Sequence, residues 1–284
     1  MKAILLVGLL GPALVAEDAR EIVRRAVELD SANARLARNY TFLQRQDVRD
    51  LDGAGRVKTE KLETWDITLL EGSPYRRLVA RNDQPISAEE QQREEEKLRR
   101  SIDERRQETP AQRESRLEEW AKRQERQREP VRELPDAFDF TLTGEELLDG
   151  RLVYVIVATP KPGYKPKSTF SGFFPKVKLR LWIDKRDYQG ARIEMEVLDT
   201  VSLGGFLLRV SKGTRLLIEQ NRVNDEVWLP KKVVLHASAR LLLVKGLYRD
   251  IDVTFSDYKK FQVESRVVAA GEQPAPLKTH PEPP

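Results

Sequence analysis

The chain has 284 residues and a formal net charge of +4 at pH 7, with 50 basic residues against 46 acidic ones. Such a balance gives no strong positive field, which argues against a nucleic-acid partner. Cysteine is absent from the sequence, and this excludes disulfides, thiolate metal sites, thiol nucleophiles and a lipid-modified N-terminal cysteine.

The first sixteen residues have the layout of a secretory signal peptide. Lys2 precedes an apolar run from Ala3 to Leu14, and polarity changes abruptly between Ala16 and Glu17. The run is short for a transmembrane helix, which needs about 20 apolar residues. A buried helix and a membrane anchor are the alternatives. The layout predicts a signal peptide over residues 1–16, cleavage after Ala16, and a periplasmic protein that is soluble after cleavage.

An amphipathic helix and then a β-hairpin are predicted after the signal peptide. Ile22, Ala26 and Leu29 recur at helical spacing along one stripe of residues 18–37. From Tyr40 the period changes to two, which is typical of a strand, and Asp52-Gly53 supplies a turn. This part of the chain is therefore predicted to place one helix against the start of an antiparallel sheet.

Residues 87–133 form a charge-rich insertion between strands. Ser87 with Glu90 is a capping-box pattern, and Thr109-Pro110 is typical of a second helix start. From residue 88 to residue 133 there are 13 Lys and Arg against 14 Asp and Glu. We predict a helical pair whose second helix ends at Pro130. The pair is either a solvated face or a docking surface for an envelope protein.

The β pattern returns after Pro135 and continues as hairpins to about residue 268. Pro230 falls inside one of these strands and predicts an edge or a bulge. The Pro-rich residues 271–284 are predicted to be disordered. One face of two neighbouring strands carries the candidate lining of an apolar, ligand-binding cavity: Val177, Leu179, Leu181, Ile183, Ile193, Met195 and Val197.

A long connection from Lys161 to Pro175 separates two of these strands. It carries four aromatic residues, which are Tyr164, Phe170, Phe173 and Phe174. Long connections without secondary structure of their own are often functional. The aromatic side chains are candidates for the mouth of the cavity, and the alternative is that they fold back as a plug on the core.

The sequence predicts no catalytic residue, no metal site and no cofactor. His236 and His280 are the only histidines, and neither has a second histidine with which to share a metal. Candidate carboxylate pairs such as Asp184 with Asp187 are expected at turns or on outward faces, where burial does not separate their pKa values. A metal site built from scattered carboxylates leaves no short motif and stays an alternative, as does an exported hydrolase.

The order of elements resembles a known family of exported proteins. The quoted segments are Tyr40-Thr41-Phe42-Leu43-Gln44, Asp52-Gly53, Leu181-Trp182-Ile183-Asp184 and Trp228-Leu229-Pro230. Together they are similar to the periplasmic outer-membrane lipoprotein carriers and the wider LolA-like, lipoprotein-sorting superfamily. The resemblance spans residues 18–268 apart from the insertion, for which the small carriers have no counterpart.

That resemblance implies an unclosed antiparallel β-barrel wrapped around helices, with an apolar cavity that takes acyl chains. It also implies that Arg76, close to Gly72-Ser73-Pro74, stands near the place of a gating arginine. The expected fold is therefore mainly β (α+β): a half-barrel over residues 17–270 around an N-terminal helix. The expected function is a periplasmic carrier or binding protein for lipids or lipoprotein acyl chains, without catalysis. The alternative is a non-enzymatic envelope scaffold or interaction module that uses the charged helices.

Overall fold

The computed structural model describes residues 18–168, 171–203, 208–241 and 245–261. The predicted signal peptide, the predicted disordered tail and the aromatic residue Phe170 lie outside the described residues.

The described residues form three α-helices, one short 3-10 helix and thirteen strands. The helices are α1 (Ala19–Ala37), α2 (Ala88–Arg106) and α3 (Pro110–Ala137), and the 3-10 helix is Ser171–Lys176. The strands before the long connection are β1 (Tyr40–Leu51), β2 (Val57–Leu70), β3 (Ser73–Arg81), β4 (Gln84–Pro85), β5 (Phe138–Leu148) and β6 (Arg151–Pro160). Those after it are β7 (Val177–Asp184), β8 (Gly190–Val197), β9 (Val201–Leu203), β10 (Leu208–Val210), β11 (Arg215–Val223), β12 (Val227–Leu241) and β13 (Lys245–Lys260).

All of these strands belong to one antiparallel sheet that does not close. The order along the sheet is β4-β3-β2-β1-β13-β12-β11-β8-β7-β6-β5, with β10 paired to the far end of β12 and β9 paired to β10. Helix α1 contacts β5, β7 and β12, which stand far apart in that order, because the sheet curls around the helix. The predicted mainly β half-barrel with an N-terminal helix is confirmed.

Helix α1 is held in place by its cap, its apolar stripe and one polar clamp. Asp18 caps the helix by accepting a 3.1 Å hydrogen bond from the backbone N–H of Arg20. Ile22 and Val23 are almost fully buried in the main core. The Asn33 side chain accepts from the backbone N–H of Trp228 and donates to its carbonyl oxygen, both at 2.8 Å. The second half of α1 is thereby fixed against β12.

The helical pair is tied to the turn between β2 and β3. Arg105 donates to the carbonyl oxygen of Leu70 at 2.5 Å, and Arg116 donates to the Ser73 hydroxyl at 2.6 Å. Glu94 of α2 accepts from the backbone N–H of Leu78 at 3.3 Å, so α2 covers part of the edge of β3. None of the residues of α2 is buried. No helix in the described ranges is long and apolar enough to cross a membrane.

The second helix of the pair does not end at Pro130, and that prediction is wrong. Helix α3 continues through Pro130 and Pro135 to Ala137, where β5 begins. Its last turns pack into the core, since Glu133 and Ala137 are buried. Burial of these residues outweighs the two backbone hydrogen bonds that the prolines remove from the helix.

Candidate functional site

The seven strand residues predicted to line a cavity share one face of β7 and β8, against α1. Their cross-strand pairs are Val177 with Val197, Leu179 with Met195, and Leu181 with Ile193, and Ile183 follows on the same face. Five of the seven are at most 5% exposed, whereas Ile193 and Met195 are half-buried. The buried members belong to one cluster with Ile22 and Val23, so α1 occupies this part of the half-barrel.

The described aromatic side chains of the long connection fold back onto the same cluster. Phe174 is buried, and its ring lies 5.1 Å from that of Phe138 in an edge-to-face arrangement. Tyr164 and Phe173 are partly buried against the cluster. Tyr164 also donates a hydrogen bond to Glu133 of α3. The connection is therefore attached both to the apolar core and to the end of α3.

Glu133 is the polar anchor of this connection and is only 7% exposed. Burial by itself would raise the pKa of Glu133, but hydrogen bonds from Tyr164, Ser171 and the backbone N–H of Lys167 hold that pKa below its usual value. Burial and the bond to Glu133 raise the pKa of Tyr164 to about 12. At neutral pH the pair is thus a carboxylate that accepts from a protonated phenol.

We expect Glu133→Ala to lower the free energy of unfolding by about 2–3 kcal/mol, because it leaves several buried donors without an acceptor. The contribution of Glu133 is present above its unfolded pKa of about 4.3 and is lost as pH falls through the lower folded value. Denaturant unfolding at neutral pH and near pH 3 measures both effects. Glu129→Ala, one turn earlier on an exposed position of α3, is the control. Equal midpoints for the two variants at neutral pH would contradict the role of Glu133.

A separate cavity of about 360 Å³ lies between α1, α3 and the strands β1, β2, β12 and β13. Its size is within the range of about 300–1,000 Å³ that is usual for small-molecule sites. Most of its lining residues are aromatic or aliphatic, and the polar ones include Asp30, Asn33 and Arg128. The apolar lining comprises Ala34, Ala37, Tyr40, Phe42, Ile67, Leu69, Pro74, Trp120, Trp228, Leu229, Pro230 and Tyr258.

The aromatic wall of the cavity is held by ring contacts and hydrogen bonds. The Tyr258 ring lies 6.4 Å from that of Tyr40 and 5.4 Å from that of Phe42. The Tyr258 hydroxyl donates to the carbonyl oxygen of Pro230 at 2.5 Å, and burial raises the pKa of Tyr258. The Tyr40 hydroxyl donates to Glu226 at 2.6 Å. The hydroxyl groups of both tyrosines are therefore already hydrogen-bonded within the protein.

Two rows of aliphatic side chains continue from this cavity across the face of the sheet that packs on α1. We call these rows the apolar trough. Cross-strand register places their members opposite one another, and all are half-buried except Val253, which is 8% exposed. The rows are Ile193–Ile218–Val233–Val253 and Met195–Leu216–Leu235–Ile251–Val48.

The trough adjoins the cavity along β11 and β13. Ile218 precedes the cavity residue Gln220 by two positions. On β1 the same face carries Gln44 and Gln46 between Phe42 and Val48, but the ring of Phe255, two positions after the trough residue Val253, lies 5.7 Å from that of Phe42. Cavity and trough together are the candidate site. Ile193 and Met195 belong to the trough, and no sequence-predicted residue within the described ranges lines the cavity.

Sequence reasoning missed most of this site, although a signal for it existed. Tyr40 and Phe42 alternate with polar residues, and so do Ile251, Val253 and Phe255. This alternation marks one apolar face on β1 and β13. What it does not reveal is that the helices cover the β5–β8 half of the face and leave the other half partly open.

The carboxylates considered for acid–base chemistry already form hydrogen bonds or ion pairs with other side chains of the protein. Asp184 does lie at the turn after β7, as predicted, but the expectation that such carboxylates are not buried is wrong, since Asp184 is 1% exposed. Arg151 donates to both Asp184 oxygens, at 2.6 and 2.8 Å. Asp187 accepts from the Trp228 indole at 3.0 Å. His236 is exposed and bonds to Asp250. In the described part of the chain, no three His, Cys, Asp or Glu side chains are grouped as metal ligands.

Several chains in solved structures are similar to this chain. A domain described as an outer-membrane lipoprotein-sorting protein from Vibrio parahaemolyticus matches with 12% identity and a TM-score of 0.34, over 86% of this chain and 95% of that one. A LolA superfamily protein from Nitrosomonas europaea matches with 13% identity and a TM-score of 0.28, over 87% and 94%. The MucA/MucB complex from Pseudomonas aeruginosa includes a chain that matches with 11% identity and a TM-score of 0.23, over 87% and 100%.

No family model and no curated protein matches the chain significantly. At these identities and TM-scores, nothing that the matched proteins bind carries over to the chain. The matched structures include a lipoprotein-sorting domain and a LolA superfamily protein, the group that the sequence resembles.

Proposed function

We propose that the chain binds an acyl chain in the cavity and the apolar trough, as an exported carrier or binding protein of the cell envelope. The observation that carries the proposal is that the trough rows reach the cavity on one face of the sheet, where the Phe255 ring next to Val253 contacts the cavity residue Phe42. Soluble proteins bury such surfaces unless a ligand or partner uses them. The signal-peptide layout of residues 1–16 supports export to the periplasm.

Binding and release need no covalent step in this proposal. A carrier requires only two states that differ in their affinity for the ligand. The carboxylates considered for acid–base chemistry already bond to other side chains, and Asp184 is paired with Arg151. This supports a binding role rather than a hydrolytic one. The ligand is therefore a lipid or the acyl chains of a lipoprotein, taken up and released unchanged.

Filling the cavity from α1 tests this proposal. Ala34 lines the cavity, whereas Ala32 is exposed on the same helix. We expect Ala34→Phe to weaken binding of a fluorescent fatty acid about tenfold or more, because the ring takes the space of the acyl chain. Ala32→Phe should bind as the unaltered chain does. Fluorescence titration gives the Kd, and thermal unfolding shows whether each variant is folded.

Native mass spectrometry of the purified chain provides a test without a variant. A co-purified lipid, released on activation, is the expected result. Absence of saturable probe binding at micromolar concentration by the unaltered chain would overturn the proposed function.

A second candidate is an envelope interaction module that uses the charged helices. The observation in its favour is that α2 has no buried residue, yet arginine contacts hold the pair in a defined place on the β2–β3 turn. A charge-rich helix is usually a solvated face, so exposure alone does not identify a partner. This candidate predicts that neither Ala34→Phe nor removal of lipid changes binding to an envelope protein.

A further inference from the structure

Arg76 lies beside the cavity on the face that the trough occupies. Register places Phe42 opposite Ile67, and Ile67 opposite Arg76. Phe42 and Ile67 both line the cavity, and residues directly opposite one another project from the same face of a sheet. The exposed guanidinium of Arg76 therefore stands at the rim of an apolar site.

The Arg76 guanidinium has no carboxylate partner among the described residues. Its Cζ atom lies 3.9 Å from the centroid of the Trp65 ring, and one nitrogen makes a long 3.4 Å contact with the Gln46 side-chain oxygen. The neighbouring arginines differ in this respect. Arg77 pairs with Asp66 at 3.0 Å, and Arg81 pairs with Glu63 at 2.5 Å. Stacking on the Trp65 ring orients the Arg76 guanidinium, but it does not occupy the N–H groups as hydrogen-bond donors.

Trp65 adds a second unused donor at the same place. Its indole Nε1 is buried and has no hydrogen-bond partner. A buried donor without an acceptor costs free energy, and such groups are rare in native proteins. Indole nitrogen is a donor only, so the missing partner must be an acceptor.

The side chains of Arg76 and Trp65 line a recess of about 370 Å³ that adjoins the trough. The other lining residues are Gln46, Val48, Lys61 and Glu63, and Val48 is the last member of a trough row. Glu63 is the one acidic residue of the lining and is already shared by Lys61 and Arg81. The recess thus has spare positive charge at the end of an apolar path.

We propose that this recess binds the anionic head group of an amphiphile whose acyl chain lies in the trough and cavity. Arg76 and Trp65 Nε1 donate to the same carboxylate or phosphate oxygens, which arginine recognises in a fork geometry. The inference rests on the proposed function and adds the class of ligand: a lipid with a carboxylate or phosphate next to its acyl chain, in preference to a neutral lipid.

Three probes that share one acyl chain test the head-group preference. They are palmitate, palmitoyl lysophosphatidate and the uncharged monopalmitoylglycerol. The unaltered chain should bind the two anions on the order of tenfold more tightly than the glycerol ester. A stronger preference for palmitate or for lysophosphatidate identifies carboxylate or phosphate as the natural group. Equal Kd values for the charged and neutral probes would overturn the head-group site while leaving the proposed function intact.

Arg76→Gln and Arg77→Gln form a matched pair of variants. Arg76→Gln should lose the preference for anions and keep its affinity for monopalmitoylglycerol. Arg77→Gln, which changes the adjacent arginine paired to Asp66, should keep the preference. Loss of the preference in both variants would assign it to general charge and overturn the role of Arg76. If none of the three probes binds the unaltered chain, the proposed function fails and the head-group site fails with it.

The indole resonance of Trp65 gives a readout that needs no loss of affinity. In the full chain labelled with ¹⁵N-tryptophan, Trp65→Phe assigns the Nε1–H peak. Palmitate should shift this peak downfield as the donor gains an acceptor, and monopalmitoylglycerol should not. A Trp65 peak that is unmoved at saturating palmitate would contradict the placement of the head group.

Discussion

Arg151→Ala is expected to lower the free energy of unfolding by about 3–5 kcal/mol, because it leaves a buried carboxylate without its cation. Asp184 is 1% exposed and accepts two hydrogen bonds from Arg151. Removing one partner of a buried pair costs far more than removing an exposed one. Denaturant unfolding measures the loss, and Lys122→Ala, which removes an exposed pair with Glu118, should leave the midpoint nearly unchanged.

The pH dependence of this loss identifies its cause. Burial alone would raise the pKa of Asp184, but the bonds from Arg151 and from the backbone N–H groups of Asp187 and Arg186 outweigh it and lower that pKa. Because the pKa of Asp184 is lower in the folded chain, the ionised carboxylate stabilises the fold at pH values above its unfolded-state pKa of about 3.9. This stabilisation is lost as pH falls through the folded-state pKa. The difference between Arg151→Ala and the unaltered chain should therefore shrink below about pH 4. A difference that stays constant down to pH 2 would contradict the ion-pair explanation.

Phe138→Ala is expected to cost about 3–5 kcal/mol, as is usual when a buried aromatic side chain is truncated. Phe138 has no exposed surface, and its ring contacts that of Phe174 at 5.1 Å and that of Phe140 at 6.4 Å. The phenyl ring joins β5 to the long connection, so the cavity left behind cannot collapse without moving both. The measurement is the midpoint and slope of urea unfolding.

Leu147→Ala is the matched control for this prediction. Leu147 lies on the same strand but is 71% exposed, so its truncation should change the free energy of unfolding by no more than about 0.5 kcal/mol. A similar loss from both variants would show that β5 responds to any shortened side chain. A small loss from Phe138→Ala would show that the connection does not pack on the core as described.

The local patterns in the sequence predicted the elements closely. Period-two alternation predicts a strand over residues 176–184, and β7 spans Val177–Asp184. The helix predicted over residues 18–37 is α1 within one residue. Pro230 was predicted to mark an edge or a bulge, and the register of β11 with β12 shifts next to it. These features depend on neighbours along the chain, such as turn glycines, caps and alternation, and a single sequence contains them.

Two errors arose where distant residues decide the local structure. Pro130 is a helix breaker by its own chemistry, but burial of Glu133 and Ala137 carries α3 past it. Asp184 is a turn carboxylate by its position, but Arg151, 33 residues earlier in the chain, makes its burial possible. In both cases the stabilising contact comes from another element, which propensity does not describe.

By itself the sequence determined the composition limits, the order of most helices and strands, and which face of several strands is apolar. Only the tertiary structure decided which part of that apolar face is covered. Helix α1 buries the β7–β8 half that the pattern singled out, and the aromatic cavity and the trough lie farther along the sheet. Alternation of apolar and polar residues shows that one face of a strand is shielded from water. It does not show whether a helix, a loop or a ligand covers that face, because each of them removes water from apolar side chains equally well.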